Sequence, residues 1–141
     1  MIHRNASAQW HGDLKGGQGS VRLGSGAFEG PFSFGTRFED VPGTNPEELL
    51  GAAAAACFSM AFALGLSQAG HTPVRVDTRA TVQMERVDEK MTIVGMALVC
   101  DAEVPGISNE AFQKVAEATK DGCIVSRALA AVPKTLTATL K

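Results

Sequence analysis

The fold is decided by residues 45–70, NPEELLGAAAAACFSMAFALGLSQAG. Asn45 is a favourable N-cap, Pro46 suits the first helical position, and the two carboxylates that follow suit the positive end of the helix dipole. Gly70 ends the pattern, as is usual at a helix C-terminus. The stretch therefore predicts one long helix over residues 45–69.

No charged residue lies between Leu49 and Gly70, and about 17–25 apolar residues can span a membrane. The centre of the stretch is GAAAAA at 51–56, however, and Ala contributes little transfer free energy compared with Leu, Ile or Phe. Acidic rather than basic residues precede it. We therefore predict a buried central helix in a protein without a membrane partner, with small side chains that let other elements approach closely.

The rest of the chain shows strand and helix patterns. Strands are predicted over residues 2–10, 18–23, 33–38, 74–87, 91–102 and 134–141, and helices over 109–120 and 124–131. Residues 74–87 alternate with period two, as in a half-buried strand, whereas 91–102 is apolar on both faces and therefore interior. A turn at Asp88-Glu89 joins these two strands into a hairpin. The order predicts an α+β fold with a largely antiparallel sheet.

Length and charge restrict the class of protein. The chain has 141 residues, with 13 basic and 15 acidic side chains and a net charge of −2. The length predicts a single domain, residues 1–141, and the charge balance argues against a nucleic-acid partner. Three cysteines do not make a secreted disulfide framework, and residues 1–30 lack the apolar run of a signal peptide. We therefore expect a cytoplasmic protein.

The cysteines are the main candidates for chemistry. Cys123 opens a helix, where backbone N–H groups stabilise a thiolate. From the residues alone, Cys57 is better explained as a small buried side chain, and Cys100 as an inert thiol in a buried strand. If the fold brings Cys57 and Cys123 together, one thiol can be oxidised to a sulfenic acid and the second can condense with it to a disulfide.

A reactive thiolate needs a nearby positive charge, and Arg37 is the best candidate because residues 36–40 (TRFED) surround it with partners. The alternative is a surface ion pair of little energetic value. His3, His11 and His71 have no metal-ligand spacing with the cysteines, so neither a metal site nor a Cys–His hydrolase is expected. The glycine clusters match no nucleotide-binding motif, and we expect no cofactor.

Three segments resemble the OsmC branch of the OsmC/Ohr family, the osmotically inducible and organic hydroperoxide resistance proteins: 34–39 (FGTRFE), 43–53 (GTNPEELLGAA) and 55–61 (AACFSMA). Residues 8–13 (AQWHGD) are similar to the first strand of that branch, and Gly122-Cys123 lies where the family has its second cysteine. The resemblance covers essentially the whole chain.

The resemblance implies a cysteine-based peroxidase that reduces organic hydroperoxides in the response to oxidative and osmotic stress. It implies that Cys57 attacks the peroxide, Cys123 resolves the sulfenic acid, Arg37 stabilises the Cys57 thiolate and Glu47 orients Arg37. It also implies an OsmC-like fold assembled as an interlocked homodimer, and a dithiol reductant such as a dihydrolipoyl group. The family's usual Pro after the second cysteine is Ile124 here, which leaves the Cys123 loop freer to move.

Two further expectations concern substrate and class. Phe58, Met60 and Phe62, close to Cys57 in sequence, suggest a preference for organic over hydrogen peroxide. The alternative function is a non-catalytic stress-protective or ligand-binding protein on the same dimeric fold, which would have no need for all four implied site residues.

Helix geometry adds an expectation about assembly. Glu47 and Cys57 are ten residues apart, about 15 Å along a helix axis, so Glu47 cannot meet an arginine placed over the thiol of its own helix. We therefore expect the partner subunit to donate Glu47 across two crossing helices, and the isolated monomer to be inactive.

Overall fold

A computed structural model describes all of residues 1–141. Six strands and four helices follow one another along the chain: β1 (Ala6–His11), β2 (Gln18–Leu23), β3 (Glu29–Ser33), α1 (Phe34–Phe38), α2 (Pro46–Gln68), β4 (Arg75–Val87), β5 (Lys90–Glu103), α3 (Asn109–Gly122), α4 (Ile124–Ala128) and β6 (Lys134–Leu140). The predicted long helix, the hairpin, the helix over 109–120 and the last strand are confirmed to within two residues at each end.

The chain divides into two compact units, Met1–Leu49 and Leu50–Lys141, and the boundary falls within α2. Each unit has its own three-stranded sheet, in the orders β1-β2-β3 and β4-β5-β6. The fold is α+β as predicted, but the expectation of one sheet is wrong, because β3 pairs only with β2 and leads into helices rather than into β4. The expectation of a single domain stays a prediction.

The strand predicted over 33–38 is wrong beyond its first residue. β3 ends at Ser33, and the short helix α1 follows at once. The Ser33 hydroxyl accepts a hydrogen bond from the Thr36 backbone N–H (3.2 Å), and the Thr36 hydroxyl accepts one from the Ser33 N–H (2.9 Å). This reciprocal capping favours a helical turn over an extended backbone at this point.

The second sheet contains the predicted hairpin. β4 and β5 pair antiparallel through a turn in which Asp88 and Glu89 have positive φ angles of 48° and 63°. Because both residues adopt the left-handed backbone conformation, they form a tight turn whose twist matches that of the flanking strands. β6 pairs with β5 in parallel, so the strand predicted as interior lies at the centre of this sheet.

Helix α2 buries one face within its own chain. Phe58, Phe62 and Leu66 are fully buried, and the Phe62 ring lies 5.2 Å from the ring of Phe112 on α3. Full burial of each side chain of this size stabilises the folded chain by about 1.5–3 kcal/mol. The opposite face is open, since Met60 is 78% exposed. The expectation of a helix buried all round is therefore wrong for the single chain, because its own sheet and α3 cover one side only.

The same helix is the only one whose length and mean hydropathy, 2.0, would allow it to cross a membrane. A core helix of a water-soluble protein passes the same test. Phe58 and Phe62 of α2 lie in the hydrophobic core of the chain, as expected of such a core helix.

Glycines set how closely α2 approaches its neighbours. A Cβ atom added at Gly65 would lie 2.8 Å from Cγ1 of Val115 on α3, a separation that real Cβ atoms do not show. A Cβ at Gly51 would meet Val82 and Ala80 of β4 at 3.5 Å or more, which is ordinary contact. Gly65 therefore permits the packing of α3 on α2, whereas Gly51 leaves room for a methyl group.

We predict opposite effects from one substitution at these two positions. Gly51→Ala should raise the free energy of unfolding by up to about 1 kcal/mol, because Ala is the better helix former. Gly65→Ala gains the same propensity, but crowding against Val115 costs about 1–3 kcal/mol and cancels or reverses the gain. Urea unfolding of both variants measures the difference. Equal stabilisation by both would contradict this account of the α2–α3 contact.

Candidate active site

Two cysteines from distant parts of the sequence meet at the start of α4. Cys123 lies immediately before this helix, and its sulfur accepts a hydrogen bond from the backbone N–H of Ser126 (3.4 Å). The sulfur of Cys57, on α2, accepts one from the N–H of Val125 (3.4 Å). Successive amides of one turn thus hold the two sulfurs side by side, and both thiols are free. The structure brings Cys57 and Cys123 together.

The two thiols differ in acidity. Burial raises the pKa of Cys57, and the backbone N–H of Val125 offsets this only in part, while Cys123 adds to the rise. Burial also acts to raise the pKa of Cys123, but hydrogen bonds from Ser126, then from Cys57 and Val125, outweigh it and hold that pKa below its ordinary value. Within this unit, Cys123 is therefore the thiol that ionises more readily.

Ser126 is a polar residue of this site that the sequence analysis did not select. It is 4% exposed, and its hydroxyl accepts a hydrogen bond from the Cys123 thiol at 3.2 Å. The available signal was the spacing: an N-cap side chain normally bonds to the backbone three residues later. Because cysteine is not among the usual capping residues, this spacing does not by itself predict a cap.

Arg37 and Glu47 form an ion pair within the first unit. Nε and Nη2 of Arg37 both donate to the Glu47 carboxylate, and the shortest of these contacts is 2.7 Å, from Nη2 to Oε1. Glu47 is 7% exposed, whereas the Arg37 side chain is 41% exposed. The Nη1 group has no partner, and the guanidinium lies 5.0 Å above the ring of Phe38. The carboxylate therefore orients the arginine and leaves one edge for another anion.

An apolar cavity of about 270 Å³ adjoins Arg37 in the same unit. Its walls are mostly aromatic: Trp10, Leu14, Phe32, Ser33, Phe34, Arg37 and Phe38. The Trp10 and Phe32 rings lie 5.3 Å apart, and the Phe34 and Phe38 rings 5.2 Å apart. The cavity therefore suits a small organic group whose polar end meets a guanidinium.

A second, larger groove of about 540 Å³ lies between α2 and α3. Small side chains line it, with Cys123 at its wall and Lys114 as its one charged residue. Cys123 therefore borders a groove whose walls are largely apolar.

The remaining predicted features lie outside these sites. Cys100 is fully buried on β5, and burial raises its pKa. Phe58 and Phe62 are core residues with no exposed surface, so the expectation that they select organic substrates is wrong. The chain gathers no group of three or more His, Cys, Asp or Glu side chains around one point.

Comparison with known proteins shows the family of the chain. The family model described as OsmC-like protein matches residues 38–137. Peroxiredoxin OsmC of Escherichia coli (strain K12) is 47% identical over 131 residues, which cover 92% of each chain. The chain belongs to the OsmC-like family. Peroxiredoxin OsmC of Shigella flexneri is similar to it to the same extent. The family resemblance stated from the sequence is confirmed.

Solved structures of low sequence identity have the same fold. An organic hydroperoxide resistance protein from Elizabethkingia anophelis gives a TM-score of 0.75 at 22% identity and covers 100% of this chain and 98% of its own. The organic hydroperoxide resistance protein OhrB of Bacillus subtilis gives 0.72 at 21% identity, covering 97% and 98%. An OsmC-like protein from Mycoplasma pneumoniae gives 0.75 at 14% identity, covering 99% and 97%. The OsmC/Ohr-like fold predicted from the sequence is therefore confirmed.

We predict that the three thiols differ in reactivity toward N-ethylmaleimide. Only a thiolate attacks this reagent, so Cys100, which is fully buried and has a raised pKa, should react only after unfolding. Cys57, which is partly exposed, should react in the native protein, and Cys123, which has a lowered pKa but is only 4% exposed, should follow it more slowly. Peptide mapping by mass spectrometry at several reaction times, with a urea-unfolded sample as control, measures the order. Early labelling of Cys100 would mean that this strand opens in the native state.

Proposed function

We propose that this chain is a cysteine-based peroxidase that reduces organic hydroperoxides to alcohols and acts less well on hydrogen peroxide. The observation that carries the proposal is the placement of the Cys57 and Cys123 sulfurs on successive backbone amides. The 47% identity to proteins named Peroxiredoxin OsmC supports it. The activity belongs to the response to oxidative and osmotic stress, in the cytoplasm, where thiols stay reduced between turnovers.

In the first step the Cys57 thiolate attacks the outer oxygen of the hydroperoxide. The S–O bond forms as the O–O bond breaks, Cys57 becomes a sulfenic acid, and the leaving alkoxide takes a proton to become the alcohol. Sulfur is oxidised by two electrons and the peroxide is reduced by two. The step requires a thiolate, because a neutral thiol is a poor nucleophile.

In the second step the Cys123 thiolate attacks the Cys57 sulfur. The S–S bond forms, the S–O bond breaks, and hydroxide leaves and is protonated to water. A dithiol, such as a dihydrolipoyl group, then reduces the disulfide. The apolar groove at Cys123 supports this choice, because it offers a route for a dithiol on a hydrocarbon chain.

The Arg37–Glu47 pair supplies the positive charge that Cys57 needs. Within Leu50–Lys141 no cation acts on the Cys57 pKa, which burial raises. A guanidinium beside the sulfur would favour the thiolate and lower that pKa. The free Nη1 edge of Arg37 suits this contact, and the aromatic cavity beside the arginine suits the organic group of the substrate.

An interlocked homodimer completes the site in this proposal. Ala52, Ala56, Met60 and Leu64 recur every four residues and form an exposed apolar stripe along α2. Met60 and Leu64 are 78% and 60% exposed in the single chain, an arrangement that a second copy of the stripe would cover. The expectation that the partner subunit donates Glu47 is thereby extended: because Arg37 and Glu47 pair within one chain, both are donated together.

We predict distinct losses from the three cysteine substitutions. Cys57→Ser should abolish peroxide reduction, because an alcohol does not ionise at neutral pH. Cys123→Ser should complete the first step and then accumulate sulfinic and sulfonic acid at Cys57, because nothing resolves the sulfenic acid. Cys100→Ser, the matched control, should retain near-normal turnover.

Thiol counting after one equivalent of cumene hydroperoxide, followed by non-reducing peptide mapping, tests these outcomes. We expect the loss of two thiols and a Cys57–Cys123 link within one chain. An unchanged thiol count would favour the non-catalytic binding protein instead, and a Cys57–Cys100 link would overturn the pairing.

Mixed dimers test how the site is assembled. Cys57→Ser and Glu47→Ala chains are each expected to be inactive, but their mixed dimer has one complete site if the pair acts across the interface. Cys57→Ser mixed with Arg37→Ala should recover activity for the same reason. Arg37→Ala mixed with Glu47→Ala is the matched control and should not recover, because every pair in that dimer lacks one member. No recovery in the two Cys57→Ser mixtures, with mixed dimers demonstrably formed, would mean that the pair acts within its own chain or not at all.

A further inference from the structure

The Ser126 hydroxyl is a buried polar group whose only hydrogen-bond partner in the chain is the Cys123 thiol, at 3.2 Å. The backbone N–H of the same residue also donates to that sulfur, at 3.4 Å. Ser126 is 4% exposed and Cys123 is 4% exposed. Ser126 thus contacts the Cys123 sulfur through two polar groups, in a place that water scarcely reaches. The ionisation of the Cys123 thiol therefore depends on Ser126.

We propose that Ser126 is a positioning residue for disulfide formation, which holds the Cys123 sulfur toward Cys57 and stabilises it as a thiolate. The proposal rests on the proposed function, since it assigns Ser126 to the second chemical step of that reaction. Nothing in the peroxide-attacking step requires this hydroxyl, because Ser126 contacts Cys123 and not Cys57.

The role of the hydroxyl changes with the charge of the sulfur. While Cys123 is a neutral thiol, the S–H donates to the Ser126 oxygen. When the proton leaves, the hydroxyl can rotate and donate its own hydrogen to the thiolate, beside the backbone N–H that already points there. Two donors to one buried anion favour the charged form. The thiolate then attacks the Cys57 sulfenic acid, and hydroxide leaves as already described.

Other groups facing Cys123 do not replace this contact. The titratable groups near its sulfur are Cys57 on α2 and Lys114 on α3, which shares the groove with it. Cys57 is consumed as the sulfenic acid in the step concerned. Among the hydrogen bonds that lower the pKa of Cys123, the Ser126 hydroxyl makes the largest contribution, ahead of its backbone N–H.

Removal of the hydroxyl has an effect on rate that depends on pH. If Ser126→Ala raises the pKa of Cys123 by about one unit, the thiolate fraction below the midpoint falls about tenfold. The more basic thiolate is also intrinsically more nucleophilic, by about threefold for a Brønsted coefficient of 0.4–0.5. Disulfide formation in Ser126→Ala should therefore be about threefold slower than in the wild type at low pH. It should be about threefold faster at a pH where Cys123 is fully ionised in both proteins. A merely structural defect would slow it at every pH.

Two measurements test the proposal on the full-length protein. The first is the absorbance of the thiolate at 240 nm against pH in a Cys57→Ser, Cys100→Ser background, where Cys123 is the only thiol. The second is the rate of disulfide formation after one equivalent of cumene hydroperoxide, followed by acid quench and mass spectrometry in the protein with all three cysteines. Each uses Ser126→Ala, with Ser126→Thr to restore a hydroxyl.

Thr119→Val is the matched control. Thr119 is 8% exposed on the helix before Cys123, and its hydroxyl donates to the Val115 carbonyl rather than to sulfur. Valine has nearly the same shape, so this variant removes a buried hydroxyl without touching the thiol. It should leave the absorbance midpoint unchanged.

The expected result is a midpoint about one pH unit higher in Ser126→Ala, near-normal in Ser126→Thr, and rate profiles for Ser126→Ala and wild type that cross. An unchanged midpoint, or a uniformly slower rate without a crossing, would overturn the proposal and leave Ser126 a packing residue. The absorbance titration needs no peroxidase activity. If the midpoint shifts but the protein with all three cysteines does not reduce peroxide, the result would refute the proposed function and not the Ser126–Cys123 contact.

Discussion

Two neighbouring backbone amides, those of Val125 and Ser126, hold the sulfurs of Cys57 and Cys123, and the chemistry of the chain depends on that turn. The amides are free to donate because they lie in the first turn of α4, where backbone N–H groups have no partner within the helix. The turn itself begins at Cys123, which acts as its N-cap. The sulfur that caps the helix is thus the one that attacks the Cys57 sulfenic acid in the proposed reaction.

This arrangement has a consequence for the order of events. Burial disfavours a thiolate at Cys57, while the contacts of Ser126 favour one at Cys123. A second thiol that ionises readily is suited to trapping a sulfenic acid before further oxidation, because the rate of attack depends on its thiolate fraction. Cys57 then needs a separate positive charge that favours its thiolate. In the proposed function that charge comes from Arg37, which the buried Glu47 carboxylate holds through Nε and Nη2.

Helix α2 connects the energetics to the proposed assembly. Its buried face places Phe58, Phe62 and Leu66 in a core closed by the second sheet and α3. Its other face carries the exposed apolar stripe of Ala52, Ala56, Met60 and Leu64. A helix without charged side chains can pack against other elements on two sides. At Gly65 the absence of a side chain lets α3 approach the α2 backbone closely. In the proposed homodimer a second copy covers the stripe and removes its apolar surface from water.

The sequence by itself determined the regular elements with strong local signals. Asn45 accepts from the Glu48 N–H at 2.8 Å as an N-cap should, and the Asp88-Glu89 turn lies between the two long strands. Both follow from interactions within a few residues. The family also followed from the sequence, because the segment around Cys57 is a specific motif.

Only the tertiary structure decided the rest. Cys57 and Cys123 are 66 residues apart, and no local rule states that α4 will place its first amides at both sulfurs. The number of sheets, the parallel pairing of β6 and the open face of α2 likewise depend on which elements pack together. Local sequence specifies backbone conformation through short-range hydrogen bonds and sterics. Which group contacts a buried thiol, and which element covers an apolar face, depend on the free energy of the whole folded chain.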